Sequence, residues 1–529
     1  MDISPTQSSA LQPITYKTFA RLIASRSAKI LHISQHFQKT DSDSFVLTRP
    51  LLSIIQAEST HLEEFLDAYG ARTNQLWLPF RVQIAVLKNF SIAGYELLHI
   101  YHSSPHYQLS SQQQNFASDT RDAINYVTCT ISCGLRLLLV QAEKLGIAPT
   151  PIKRQLNFNE RLPKGRLPRD RQSRRAESIK ERITHLATSF LHRTEDARFL
   201  AKIAACNPTD FESLNFELLN EASLREMESK IHNLQSLYDT FIGDSRTEDA
   251  DPDLRRFRGH SSAALHLTRV TTIFIHFYER HVKNNREFLY CRQSGCCLEG
   301  EWFFTILTKY LAYYSHTFLE TARDLCKQML ARYAEVEMRD IAVPPFIGFH
   351  VRPSSLVAAI VRHYGSDVTI ISEDDSVIDA RFPFEIQRTN ERINQLKREH
   401  IFAKLHDIDF SHQSDSFTHG GKDRVAAVRS AIMQLATLNL LRIYSFSMPI
   451  EEELKTFNGS FIEALRAVIT AFQRIRVVDV NYNVTVCFRG DRRVLKDIEI
   501  LAKNGYGETD QGVNIPLPKE LEYLSHCRG

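Results

Sequence analysis

The residues best suited to chemistry lie in Pro345-Phe-Ile-Gly-Phe-His350-Val-Arg352-Pro353-Ser354-Ser355-Leu-Val-Ala-Ala-Ile360. The stretch reads as a short apolar strand that turns at Gly348 and runs into a helix. Pro353 suits the first turn of that helix, where a missing N–H costs nothing. Leu356, Val357, Ala359, Ile360 and Val361 supply its apolar face. His350 then stands at the helix start, where unpaired N–H groups and the positive end of the helix dipole can hold an anion, phosphate above all. A neutral imidazole nitrogen is a nucleophile near neutral pH. Arg352 adds a planar donor of permanent charge. Such parts suit acceptance of a phosphoryl group; the plainer alternative for His350 is a polar loop or cap residue without chemistry.

Gly348-Phe-His350-Val-Arg352-Pro353 resembles the active-site motif of the histidine-containing phosphocarrier protein HPr of the sugar phosphotransferase system, whose usual pattern is Gly-Leu-His-Ala-Arg-Pro. Asp367–Ile371 matches that family's second strand and Ser376–Ala380 the third. Asn483–Gly490 resembles the fourth strand and its turn, and Asp491–Asn504 the closing helix. The likeness covers 340–387 and 476–510. It departs from the family at Ile347, where Asn is frequent. Arg381-Phe-Pro-Phe-Glu385 also stands where a second helix with a regulatory serine would begin, and 388–476 is inserted before the fourth strand.

The resemblance implies an open-faced, four-stranded antiparallel β-sandwich with helices on one face. It further implies that His350 is the phosphoacceptor, and that Arg352 and the N–H groups following His350, beginning at Val351, hold the phosphoryl oxygens. Ser354 and Ser355 would add hydroxyl donors or cap the helix. The implied partners are an enzyme I-like donor, charged by phosphoenolpyruvate, and a downstream acceptor protein. A scaffold or regulatory protein that keeps the fold without carrying phosphate is the alternative.

The rest of the chain reads as helical. A bundle is expected over 1–148, with Arg26–Lys39, Leu47–Tyr69, Phe80–His102 and Ala117–Lys144 as its clearest segments. Residues 149–178 are basic and rich in proline, and read as an exposed linker. The segment 153–175 is the single candidate dock for nucleic acid, but Phe158 alone is available there to stack on bases. A second bundle is expected over 179–340 and an HPr-like domain over 341–529, giving a mainly α chain with a C-terminal α+β domain. The two bundles share a repeat. Phe80-Arg81 precedes His99-Ile-Tyr101 as Phe257-Arg258 precedes His276-Phe-Tyr278, and His61–Tyr69 echoes His232–Phe241. Within the insertion, Thr389–Leu405, Lys422–Tyr444 and Pro449–Ile475 read as helices.

Composition bounds the remaining classes. The 529 residues carry a net charge of only +3, and hydrophobic content is 43%. These are the marks of a globular protein of several domains rather than of a general nucleic-acid binder. No apolar run of membrane length and no leader pattern stand out, so a cytoplasmic protein with free thiols is expected. Cys291, Cys296 and Cys297 cluster without a second ligand pair. His99 and His102 with Glu96, and His406, His412 and His419 among aspartates, lack a standard ligand spacing. No metal and no cofactor are expected, because dinucleotide, P-loop and Gly-x-Ser-x-Gly patterns are missing.

Overall fold

A computed structural model describes residues 13–38, 46–109, 115–147, 158, 160, 178–208, 220–282, 300–371, 377–418 and 421–527. Nearly all of 149–178, the Cys291 cluster, Ser376 and His419 lie outside the described residues. The chain forms two compact units, Met1–Cys326 and Lys327–Gly529. It is mainly helical, with one antiparallel sheet of four strands.

The first unit contains α1 (Tyr16–Arg26), α2 (Ala28–Gln38), α3 (Arg49–Ala68), α4 (Leu78–Ser103), α5 (Phe116–Lys144), α6 (Ile179–Arg193), α7 (Phe199–Ala205), α8 (Glu221–Phe241), α9 (Arg246–Ala250), α10 (Pro252–Phe277), α11 (Gly300–Thr305) and α12 (Tyr313–Arg332), which runs on into the second unit. The repeat returns as matching helix pairs. The first members, α3 and α8, have 20 and 21 residues, and the second members, α4 and α10, have 26 each. In each pair the repeated arginine forks onto a carboxylate of the preceding helix. Arg81 meets both oxygens of Asp67 at 2.9 and 2.8 Å, and Arg258 those of Asp239 at 2.9 and 3.2 Å.

The halves expected as separate bundles pack on each other through α4 and α10. Arg81 meets His281, Phe90 meets Phe274 and Phe277, and His99 meets His266, so the two helices run antiparallel. Glu96, paired with His99 as a possible metal face in the sequence, instead takes His266 at 2.6 Å and Arg269 at 2.9 Å. Of the basic stretch, Phe158 and Glu160 are described. Phe158 accepts a hydrogen bond from Thr48 and lies against His36 and Phe37, and Glu160 pairs with Arg49. Helix α5 is, contrary to expectation, long and apolar enough to cross a membrane, and half of its most apolar window is buried. Cys326 and Cys487 are free, whereas Cys129 and Cys133 are disulfide-bonded, which corrects the expectation of free thiols at those two positions.

The second unit contains β1 (Val336–Ala342), α13 (Val351–Tyr364), β2 (Thr369–Ile371), β3 (Val377–Asp379), α14 (Pro383–Lys404), α15 (Ser411–Thr418), α16 (Lys422–Thr437), β4 (Leu441–Ile443), α17 (Ile450–Leu454), α18 (Phe461–Arg474), β5 (Val478–Val480), β6 (Thr485–Asp491) and α19 (Arg492–Lys503). The four-stranded sheet has the order β1-β6-β2-β3, every neighbour antiparallel. Phe488 of β6 sits opposite Arg339 on one side and Ile370 on the other, and Phe488 and Ile370 are buried. Val336, Met338 and Val377 are exposed. The segment from Ile401 to Val480 builds its own core around Leu435, Leu465 and Phe472, closed by the pair β4-β5.

The first strand corrects the sequence reading twice. Pro345–Gly348 forms a turn, not a strand, and β1 begins inside the segment expected as the second helical bundle, 179–340. The inward residues of β1 are Glu337, Arg339 and Ile341, and Arg339 reaches Glu499 of α19 at 2.7 Å. With charges on the inward side the two-residue apolar period is lost. Pairing with β6 along all seven residues fixes the strand instead.

Candidate functional site

His350 is the N-cap residue of α13. Its backbone is extended, its carbonyl accepts the first helical bond from Ser354 N–H at 3.1 Å, and its side chain makes no capping bond. The imidazole is therefore left for other partners. Val351 and Arg352 follow as the first two helical residues, whose N–H groups have no partner within the helix. Pro353 has no N–H to lose. Val351 is largely exposed.

Two successive left-handed residues deliver His350 to this place. Ile347 has φ +56° and Gly348 φ +68°. Glycine tolerates this freely, but a β-branched residue is strained there by about 1–2 kcal/mol. Asn390 of α14 holds the turn by clamping the next peptide. Its Oδ1 accepts from Phe349 N–H at 2.8 Å and its Nδ2 donates to Phe349 O at 3.0 Å. Any Cβ on residue 348 would collide with that amide. Buried Phe349 anchors the turn from below, edge-on to Phe488 and Tyr506. Asn tolerates the left-handed region better than Ile. Ile347→Asn should therefore stabilise the unit by about 1 kcal/mol, roughly 2–4 °C in Tm. A melting temperature equal to or below that of the wild type would show that the packing of the half-buried isoleucine outweighs its strain.

Both ring nitrogens of His350 face acceptors. Nδ1 lies 3.1 Å from Gly348 O, and Nε2 lies 3.0 and 3.2 Å from the two oxygens of Glu508. Either neutral tautomer can donate to only one of them. Phe346 closes one side of the ring edge-on, 5.5 Å between centroids. The Arg352 Nε is 3.7 Å from Glu508, an ion pair without a hydrogen bond, and it is buried without another partner. The guanidinium lies against Gly507, where a Cβ would stand 3.1 Å from it. Glu508 is 6% exposed. A carboxylate so buried needs partners of this kind.

His350, Arg352 and Val351 thus meet at one helix mouth. The Ser354 hydroxyl does not join them: it is fully buried and donates to Phe349 O at 3.0 Å. Ser355 is half-buried one residue on. No family model matches the chain, and neither a curated protein nor a solved structure matches it.

Sequence reasoning missed Glu508 and Asn390, because both arrive from outside the motif. Gly505-Tyr-Gly507 before Glu508 was the available signal of a tight backbone approach. Gly505, Tyr506 and Gly507 all have positive φ, and the Tyr506 hydroxyl, buried, donates to Ala342 O at 2.7 Å. A hairpin follows. Glu508 bridges Asn514, Thr509 N–H reaches Val513 O at 2.9 Å, and Gly512 packs on the Phe346 ring without room for a Cβ.

Proposed function

We propose that the C-terminal unit is an HPr-like phosphocarrier with an open-faced sandwich fold, and that His350 is its phosphoacceptor. One observation carries the reading: a histidine side chain that makes no capping bond at the mouth of a 14-residue helix, beside a guanidinium and two N–H groups that have no partner within the helix. The anion-holding character of the mouth is supported by Glu508, a buried carboxylate drawn to the same two side chains. Agreeing with the family's expected pattern are the succession strand, helix, strand, strand, then strand and helix, and the four antiparallel strands.

In the transfer, the lone pair of a neutral ring nitrogen of His350 attacks phosphorus. The bond from phosphorus to the donor's leaving atom breaks, and its electron pair stays with the donor. The proton on the other ring nitrogen remains in place. Arg352 and the N–H groups of Val351 and Arg352 take the phosphoryl oxygens. An enzyme I-like protein charged by phosphoenolpyruvate supplies the group, and a downstream protein receives it.

One observation favours a second reading, a scaffold or regulatory protein without phosphate: the carboxylate beside His350 already fills the mouth. Incubation with phosphoenolpyruvate and the enzyme I of the same cell separates the two. Acid-labile label on the wild type that vanishes in His350→Ala supports relay. No label under conditions that charge an ordinary carrier supports the scaffold.

Arg352 offers a finer test. Lysine keeps the charge but loses the planar fork. Arg352→Lys should fold normally, by circular dichroism, and accept label about tenfold more slowly, equivalent to about 1.4 kcal/mol. Unchanged quenched-flow rates in both Arg352→Lys and Arg352→Ala would remove this residue from the transfer.

A further inference from the structure

We propose that the hairpin after α19 is an autoinhibitory latch: Glu508 occupies the seat of the incoming phosphoryl group, and transfer requires it to leave. This rests on the reading of His350 as the acceptor. The argument starts from competition for the same donors. Glu508 is 94% shielded from solvent by its neighbours, and its partners are His350 Nε2 and Arg352 Nε. These are the groups that a phosphoryl group on the histidine would need. A phosphoryl group brings up to two negative charges. It cannot share a water-poor mouth with a second anion at hydrogen-bond distance, because like charges repel strongly where the dielectric is low.

The hairpin is built to hold the carboxylate there and is anchored at its base, where Asn504 Nδ2 also donates to Pro516 O at 3.1 Å, rather than at its tip. Tyr506 is fixed by burial and by Ala342, and Gly507 passes under the Arg352 guanidinium. From Glu508 onward the hold is lighter. Gly512 lies on Phe346, Ile515 N–H bonds Gly507 O at 2.9 Å, and Asp510 at the tip is 3.4 Å from Arg442, with Asp510 mostly exposed. A partner that drew Asp510 from Arg442 would lift the tip, and the left-handed glycines on either side of it, Gly507 and Gly512, are the places for the chain to bend. The latch thus couples docking near Arg442 to the release of His350.

The test uses the full chain with Glu508→Ala and Glu508→Gln, and two readouts. One is acylation of His350 by diethyl pyrocarbonate, followed by peptide mass spectrometry, which needs no donor protein. The other is labelling by phosphoenolpyruvate and enzyme I. Both rates should rise in Glu508→Ala by about tenfold or more, the factor equivalent to about 1.4 kcal/mol. Glu508→Gln, which keeps the shape and removes the charge, should raise labelling in the same direction and decides the matter if the alanine variant fails to fold. Faster acylation with no label in any variant would keep the latch and overturn the carrier reading. Acylation unchanged in folded variants, or label lost on removing Glu508, would overturn the latch.

Discussion

Lys397→Met alone should destabilise the C-terminal unit by about 3–5 kcal/mol, the cost of leaving one buried charge without its partner. Lys397 on α14 is 3% exposed and Asp479 on β5 is 5% exposed, with Nζ and Oδ2 2.6 Å apart. The other carboxylate oxygen takes Gln473 Nε2 at 3.1 Å and Val480 N–H at 2.8 Å. Without Lys397 the carboxylate keeps two neutral donors in a site with almost no water. Removing both charges is a different matter, because the desolvation of the pair is removed with its attraction. Lys397→Met with Asp479→Leu should recover most of the loss in urea titrations. Equal instability of the single and the double variant would mean that packing volume, not charge, is at stake. The same helix carries Asn390, which clamps the turn before His350. The single variant should therefore also slow any transfer through His350 by loosening that clamp.

How much of this was legible before the fold was known depended on how local each cause is. The start of α13 was readable because His350, Pro353 and the apolar run act within one helix. The segments of β2, β3 and β6 were marked as strands only through the family resemblance, since strands this short show little alternation of their own. The helices of the insertion were readable only in outline. Lys422–Tyr444 reads as one helix, yet α16 ends at Thr437, where Asn439 takes a left-handed conformation and Leu441–Ile443 turns into β4. Pro449–Ile475 likewise divides into α17 and α18. The signal for that break was in the sequence, because Asn458-Gly459 is a turn pair and Ser460 with Glu463 closes a capping box at the start of α18. What could not be read was tertiary. Nothing near residue 350 announces that a glutamate 158 positions later completes its surroundings. Nor does anything near residue 81 announce His281.

That second contact should make the stability of the N-terminal unit depend on pH in a way one variant can isolate. Burial first, and then the neighbouring Arg81 guanidinium, push the His281 pKa down from 6.5 to about 3. Arg81 NH1 stands 3.2 Å from Nδ1, so the neutral ring can accept a hydrogen bond from it. The imidazolium cannot. Because the folded value is the lower one, the unfolded chain takes up the proton first. The stability this ring contributes is complete above about pH 6.5 and is lost as pH falls from there toward 3, at up to about 1.4 kcal/mol per pH unit. His99 is also held below its usual range, by burial and then by His266, and Glu96 is lowered by the donors around it against the pull of burial. The wild-type profile therefore sums several groups. His281→Asn removes one proton site and leaves an amide oxygen for Arg81 to reach. Near neutral pH the variant should match the wild type, and at about pH 5 it should be more stable by about 2 kcal/mol. Hydrogen exchange of peptides from α4 and α10, compared across that range, reads the difference directly. Protection that falls in parallel in the two proteins would show that His281 takes its proton without opening the seam between the repeats.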